Sequence, residues 1–376
     1  MNKIIGLLII LAITPSCSRN RHTTSEKSKQ SSNTQNSIER IVNEEITAFM
    51  KAPEFSALSG SIYVNGKTYQ FHFGELLDTT KPNNQTLYEI GSISKTYVGL
   101  LFSQAIYDHN LNLDDNIEIY LNGKYPNLKL DNNCPITLRN LITHTAGLPM
   151  IINCNKKEQT IEEQLSCFKS FTKEDFFEQL KKVKLIDKSG KNYHYSNTGI
   201  QLVGYILENI YQSPFESLLK KFVFSRSKEQ STYIKTNDSL NNRIAIGKNN
   251  KGDKMPLENG GYEFAGGLKS STESMLKFIK MYLESNDPVV KQSMNLLAGN
   301  EKYGRAYAWN TFEFDQPDKM LYHNGGTFGE SSWIALYPDK KIGIFLVTNV
   351  MTEDSQGKLN ELSNKIIEKI FEGNDD

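Results

Sequence analysis

The stretch YEIGSISKTYVGLL, residues 88–101, decides how this chain is read. An extended lead-in, Glu89-Ile90-Gly91, runs straight into an apolar helical pattern carried by Ile93, Tyr97, Leu100 and Leu101. Ser92 therefore stands where a buried helix begins, and Lys95 follows three residues later on the same face. The start of a helix presents N–H dipoles where negative charge can develop on a reacting oxygen. A serine with an amine in reach is a nucleophile with a proton acceptor, because a crowded cationic site lowers the amine pKa until it can act as a base.

The spacing alone says little, since Ser-x-x-Lys occurs seven times in the chain and most copies read as surface lysines on helices. Context selects Ser92. The same test applies to Tyr-x-Asn, which recurs at Tyr63, Tyr120 and Tyr125 among others; Tyr195-Ser196-Asn197 opens directly onto a helix with Ile200, Val203, Ile206 and Ile210. Tyr195 can take the serine proton and return it to a leaving group. A third element, Lys-or-His-x-Gly, stands at His72, Lys188, Lys302, Lys341 and His323. At His323-Asn324-Gly325-Gly326 it falls at a strand end followed by glycines, where backbone can approach a ligand closely.

Outward from these motifs, residues 37–50 carry a helical stripe, and 59–73 form a hairpin around Val64-Asn65-Gly66-Lys67. Helical patterns then dominate 86–284, at 94–107, 138–143, 173–180, 198–211 and 272–282. Strand periodicity returns at 305–314, 320–323, 331–337 and 342–347, with Pro338-Asp339-Lys340-Lys341 as a turn, before a closing amphipathic helix through Leu359, Leu362, Ile366, Ile370 and Phe371. These elements predict an α+β protein: an antiparallel sheet flanked by N- and C-terminal helices, with a mostly α lobe inserted. The domain is expected over 38–371, with 38–85 and 300–371 in the α/β lobe and 86–299 in the helical lobe. A site belongs at the seam between lobes.

Five segments, YEIGSISKTYVGLL, ITLRNLITHTAGLP, YHYSNTGIQLVGYILE, FAGGLKSSTESMLKFI and HNGGTFGESSWIALYPDKKIGIFLVTN, resemble the serine β-lactamase superfamily, in the branch of class C β-lactamases, DD-peptidases and related esterases. They follow that family's order across about residues 38–371, and the separations of 103 positions from Ser92 to Tyr195 and 128 from Tyr195 to His323 suit it. The resemblance implies that Ser92 is acylated, that Lys95 and Tyr195 handle protons, that Asn197 orients Lys95 and the substrate amide, and that His323 lines the pocket beside Gly325. It places the oxyanion between the N–H groups of Ser92 and Gly326. Two departures bear on substrate: His323 stands where class C β-lactamases usually have Lys, and Met150-Ile151 replaces a polar residue, so efficient antibiotic hydrolysis is not expected. His144 is expected to support a loop, because Lys95 and Tyr195 already fill the role of base.

Composition narrows the remaining classes. The chain has 376 residues with 43 basic and 43 acidic side chains, which gives no electrostatic case for nucleic acid, and 38% hydrophobic content argues against a multispanning membrane protein. Lys3 and the apolar run Ile4–Ile13 read as a secretion signal, too short for a stable transmembrane helix. Thr14-Pro15-Ser16-Cys17 resembles a lipoprotein processing site, so residues 1–16 are expected to be removed and Cys17 lipidated, with ordinary cleavage to a soluble protein as the alternative. Residues 17–37 are polar and form a flexible tether. The expected location is the bacterial cell envelope.

With Cys17 lipidated, Cys134, Cys154 and Cys167 remain; Cys154 and Cys167 flank a polar insertion and are the preferred bridge, against three unpaired thiols. The six histidines never fall at ligand spacing, and no cofactor or metal is implied. A Gly-x-Ser-x-Gly elbow is absent, and Lys95-Thr96 lacks the preceding glycine of a phosphate loop. The expected activity is acyl-enzyme hydrolysis of a small amide or ester, such as a D-amino-acid peptide, a peptidoglycan fragment or an ester. The alternatives are an anchored penicillin-binding or sensing module with little turnover and, more weakly, a true class C-type β-lactamase.

Overall fold

The computed structural model describes residues 37–129, 135–154, 159–257, 260–314 and 318–373. The leader, the tether, Cys17 and Cys134 lie outside the described residues. Strands β1 (Ala57–Val64) and β2 (Lys67–Gly74) form the expected hairpin, with Asn65 at φ 47° and Gly66 at φ 91° supplying the left-handed pair that a tight two-residue turn requires. Strands β3 (Tyr88–Glu89), β4 (Thr232–Tyr233) and β5 (Lys269–Ser270) make a small separate sheet in the order β3-β5-β4. Strands β6 (Ala298–Gly299), β7 (Tyr303–Arg305), β8 (Asn310–Glu313), β9 (Lys319–Gly326), β10 (Ser331–Tyr337) and β11 (Ile342–Thr348) join the first hairpin in an eight-stranded antiparallel sheet ordered β2-β1-β11-β10-β9-β8-β7-β6.

Period-two alternation gives this sheet two apolar faces. Trp333, Ala335 and Tyr337 of β10 point to one side, where helix α1 (37–49) and the C-terminal helix Ser355–Glu372 bury Ile46, Leu359 and Ile366 against them. Ile334 and Leu336 point to the other side, into a core shared with helix α2 (Ser94–Tyr107) and the helix Thr272–Glu284. Other helices among the described residues include α3 (Leu138–Ile142), α4 (Ile161–Ser170), α5 (Lys173–Leu180) and α6 (Asn197–Tyr211).

Three expectations need correction. Helix α2 begins at Ser94, and Ser92 occupies a 3-10 turn, Gly91–Ile93, that leads into it. The single strand expected over 305–314 is two strands, because residues 306–309 turn with Ala308 at φ 58° and the Ala306 N–H bonded to the Trp309 carbonyl at 3.0 Å. Helix α4 was not anticipated within the polar insertion; Thr160 and Glu163 form a capping box at its start.

The bridge joins Cys154 to Cys167, with Cα atoms 5.4 Å apart, and ties α4 to the loop after Pro149. A closure of this length restricts the unfolded chain by about 3 kcal/mol. Replacing both cysteines with alanine should therefore lower stability by about 2–4 kcal/mol in urea denaturation; an unchanged midpoint would show that the bridge adds nothing to global stability.

Candidate active site

Three stretches converge on one hydroxyl. Gly91 adopts φ 50°, and a Cβ there would lie 2.7 Å from the Gly326 nitrogen and 2.8 Å from its carbonyl oxygen. Only glycine lets the turn bearing Ser92 come this close to β9. A side chain at Gly325 would likewise strike the Ile90 carbonyl, which instead accepts a hydrogen bond from Ser332 Oγ at 2.9 Å.

Lys95, one helical turn beyond Ser92, is fully buried and donates from Nζ to Ser92 Oγ at 2.8 Å and to the Ala265 carbonyl. Tyr195 OH donates to the same Oγ at 2.7 Å, and the Lys95 ammonium nitrogen sits 4.9 Å from the Tyr195 ring centre. Tyr195 is held by its neighbours: Ser196 caps α6 through a 3.0 Å bond from the Gly199 N–H, donates to the Pro149 carbonyl at 2.8 Å, and gives its own N–H to His144 Nδ1 at 3.2 Å. The His144 ring packs 4.6 Å from that of Tyr195. Desolvation pushes the Tyr195 phenol above its ordinary range, and the bond to Ser92 only partly offsets this.

His323 lies opposite Ile334 across the β9–β10 ladder, so its side chain shares the face turned to the helical lobe. Its Nδ1 is 2.7 Å from the Asn324 carbonyl; a carbonyl only accepts, so Nδ1 carries the proton and Nε2 is the acceptor nitrogen. Burial first, and the Lys95 charge second, depress its pKa to about 3. His144 is also pushed well down by burial, then by Lys95. Both imidazoles are neutral near pH 7.

The register also aims Gly326. The Thr327 N–H bonds to the Glu330 carbonyl at 3.0 Å, which makes 327/330 a hydrogen-bonded pair and 326/331 a non-bonded one. The Gly326 N–H therefore points away from β10, on the side where β8 pairs β9 only as far as Tyr322 and where the Ser92 turn sits. A cavity of about 210 Å³ opens there, lined by Ser92, Asn197 and Gly326 and walled by Met150, Ile151, Phe168, Tyr262 and Phe328.

Asn197 departs from expectation. Its Oδ1 is buried without a hydrogen-bond partner, so it does not accept from Lys95, and the Ala265 carbonyl takes that position instead. Sequence reasoning assigned no role to Ala265, although FAGGLK was among the recurring segments, nor to Phe168 and Gln164, which α4 brings to the cavity.

The half-buried Ser92 hydroxyl and Tyr195 phenol thus meet the buried Lys95 amine at the seam of this fold. The profile of the Beta-lactamase family matches residues 42–366, and the chain belongs to that family. A β-lactamase of Providencia stuartii is 27% identical over 248 residues, covering 65% of this chain and 60% of that protein. Protein flp of Staphylococcus aureus strain MRSA252 is 24% identical over 322 residues, covering 82% and 61%. The chain thus spans about three fifths of the length of these relatives. The crystal structure of a β-lactamase/D-alanine carboxypeptidase from Pseudomonas syringae shares the fold at a TM-score of 0.74 and 20% identity, covering 88% of this chain and 98% of its own.

The depressed His323 pKa has a consequence for stability. Between about 3 and the ordinary value of 6.5 the unfolded chain binds a proton that the folded one refuses. Stability from this site is therefore complete above pH 6.5 and declines as pH falls toward 3. His323→Gln should flatten the fall of Tm over that window, and a slope equal to wild type would contradict the assignment.

Proposed function

We propose that the chain hydrolyses small ester or amide bonds through an acyl-enzyme on Ser92. The observation that carries this reading is the convergence of Lys95 Nζ and Tyr195 OH on Ser92 Oγ, at 2.8 and 2.7 Å, at the edge of a cavity. With the phenol held protonated, the Lys95 amine in its free-base form takes the Ser92 proton as Oγ attacks the substrate carbonyl. The Ser92 and Gly326 N–H groups receive the oxyanion, a donor of this kind being worth about 3 kcal/mol at the transition state. Collapse expels the leaving group, which takes the Tyr195 proton; the Lys95 ammonium then restores the phenol, and water repeats the sequence on the acyl-enzyme.

The cavity lining favours uncharged substrates. Met150, Ile151, Phe168, Tyr262 and Phe328 offer apolar contact, and His323, expected to line the pocket, is buried and neutral and is not among the residues that line the cavity. We rank small esters above D-amino-acid peptides and peptidoglycan fragments. A β-lactamase reading is favoured by the names of the relatives, and His323 in place of a lysine weighs against it. A panel of p-nitrophenyl esters, D-Ala-D-Ala peptides and nitrocefin should give many turnovers on an ester and slow or no nitrocefin hydrolysis. One equivalent of product and no more would favour the sensing module instead. Ser92→Ala, Lys95→Met and Tyr195→Phe should each cost about 10²–10⁴-fold in kcat, and equal labelling of wild type and Ser92→Ala by a fluorophosphonate would overturn the mechanism.

Export and lipid anchoring at Cys17 complete the proposal, supported by the charged, apolar and Cys-terminated order of the first 17 residues. Expressed in a bacterium, the full chain should fractionate with membranes and Cys17→Ser should not; identical fractionation would exclude the anchor.

A further inference from the structure

Beneath the Ser92 turn lie three buried ionisable side chains that the chemistry above does not use. Glu89 is 4% exposed, Lys269 1% and Glu330 1%. Lys269 Nζ is 3.6 Å from Glu89 Oε1, and the Glu89 backbone N–H donates to Glu330 Oε2 across 241 positions of sequence. Each belongs to a segment that carries a site atom: Glu89 precedes Ser92 by three residues, Glu330 follows Gly326 by four, and Lys269 follows Ala265 by four.

The strand before Ser92 is clamped on both sides. On one, the Ile90 N–H donates to the Leu268 carbonyl at 3.0 Å; on the other, Ser332 Oγ donates to the Ile90 carbonyl and Glu330 accepts from Glu89. The Glu330 bond is thus a side-chain link between the residues flanking the two N–H groups assigned to the oxyanion. We propose that Glu330 is a positioning residue: its carboxyl, bonded to the Glu89 N–H and facing Lys269, sets the spacing of the Ser92 and Gly326 donors. The inference rests on the acyl-enzyme reading of Ser92.

The surroundings favour Glu330 in this role as a neutral acid. Its Oε1 is buried without a hydrogen-bond partner, a place where ionic charge is costly. One ammonium serves two carboxyls, and burial, then the Glu89 charge, push Glu330 well above its ordinary value of 4.5, while Lys269 opposes them. Tyr88 faces it from β3 as an un-ionised phenol, held high by burial. The segment packed on the hairpin brings Lys248, whose N–H donates to the Gly329 carbonyl at 3.1 Å.

A neutral amide can replace a neutral acid here, because the Gln carbonyl still accepts from Glu89. An aspartate cannot, since its carboxyl is one methylene short. The test measures the rate of Ser92 labelling by a fluorophosphonate, together with kcat and KM on the best ester, for wild type, Glu330→Gln and Glu330→Asp. Glu330→Asp should label at least tenfold more slowly, with the loss in kcat and KM little changed, and Glu330→Gln should recover most of that rate. Wild-type rates in Glu330→Asp, equal losses in both variants, or a loss confined to KM would overturn the proposal. Failure of wild type to label at Ser92 would instead overturn the acyl-enzyme reading.

Should Glu330→Asp not fold, thermal unfolding decides. The folded chain holds a Glu330 proton that the unfolded chain releases above pH 4.5, so wild-type stability from this group falls as pH rises. The Tm of Glu330→Gln should gain on wild type steadily from pH 5 to 8. A constant difference across that range would sink the neutral-acid assignment.

Discussion

The site depends on a contact between two stretches of bare backbone. Gly91 meets the Gly326 backbone where a side chain on Gly91 has no room, and this brings the turn before α2 against the end of β9. Everything else is arranged around that approach. Gly325 gives the Ile90 carbonyl room, and Ser332 bonds to it. The β9–β10 register turns one N–H outward toward Ser92. Glycine is costly to order in a strand, so four residues of low β-propensity context, His323 to Gly326, are held in place by the ladder to β10 and the packed turn rather than by local preference.

Electrostatically the site is one amine among neutral groups. Lys95 is wholly buried and donates to the Ser92 hydroxyl and to a main-chain carbonyl. Two imidazoles nearby have their protonated forms disfavoured by burial and by that same amine. A phenol completes the set, kept un-ionised by desolvation. Such an arrangement avoids burying an ionised group beside the amine, which in a poorly solvated interior would require its own counter-ion. The cluster of Glu89, Lys269 and Glu330 sits one layer down, where it meets the backbone of the Ser92 lead-in.

Much of this was legible in the chain because the strong signals are local. The helix at 94–107, the hairpin around Asn65-Gly66 and the closing helix all follow from periodicity and turn chemistry, and the structure agrees to within a few residues. What escaped was non-local or weakly apolar. Helix α4 carries only Leu165 and Phe168 as buried residues, too sparse a stripe to announce itself, though its capping box at Thr160 and Glu163 was there to be seen. The partner of Lys95 could not be read from side chains at all, because Ala265 contributes a carbonyl that any residue possesses. Strands β7 and β8 read as one because Ala306 to Trp309, which separate them, are apolar and hold no glycine, proline or asparagine to mark a turn.

The strand order has a consequence for how the molecule comes into being. In the large sheet β1 pairs directly with β11, so that Leu58 meets Thr348 near the opposite end of the chain. As synthesis proceeds from the N-terminus, the first hairpin must wait for almost the whole polypeptide before its neighbour exists, whereas the helices between can collapse on one another at once. The sheet that carries His323 and Gly326 is completed late, so Ser92, Lys95 and Tyr195 come together against it only in a finished molecule.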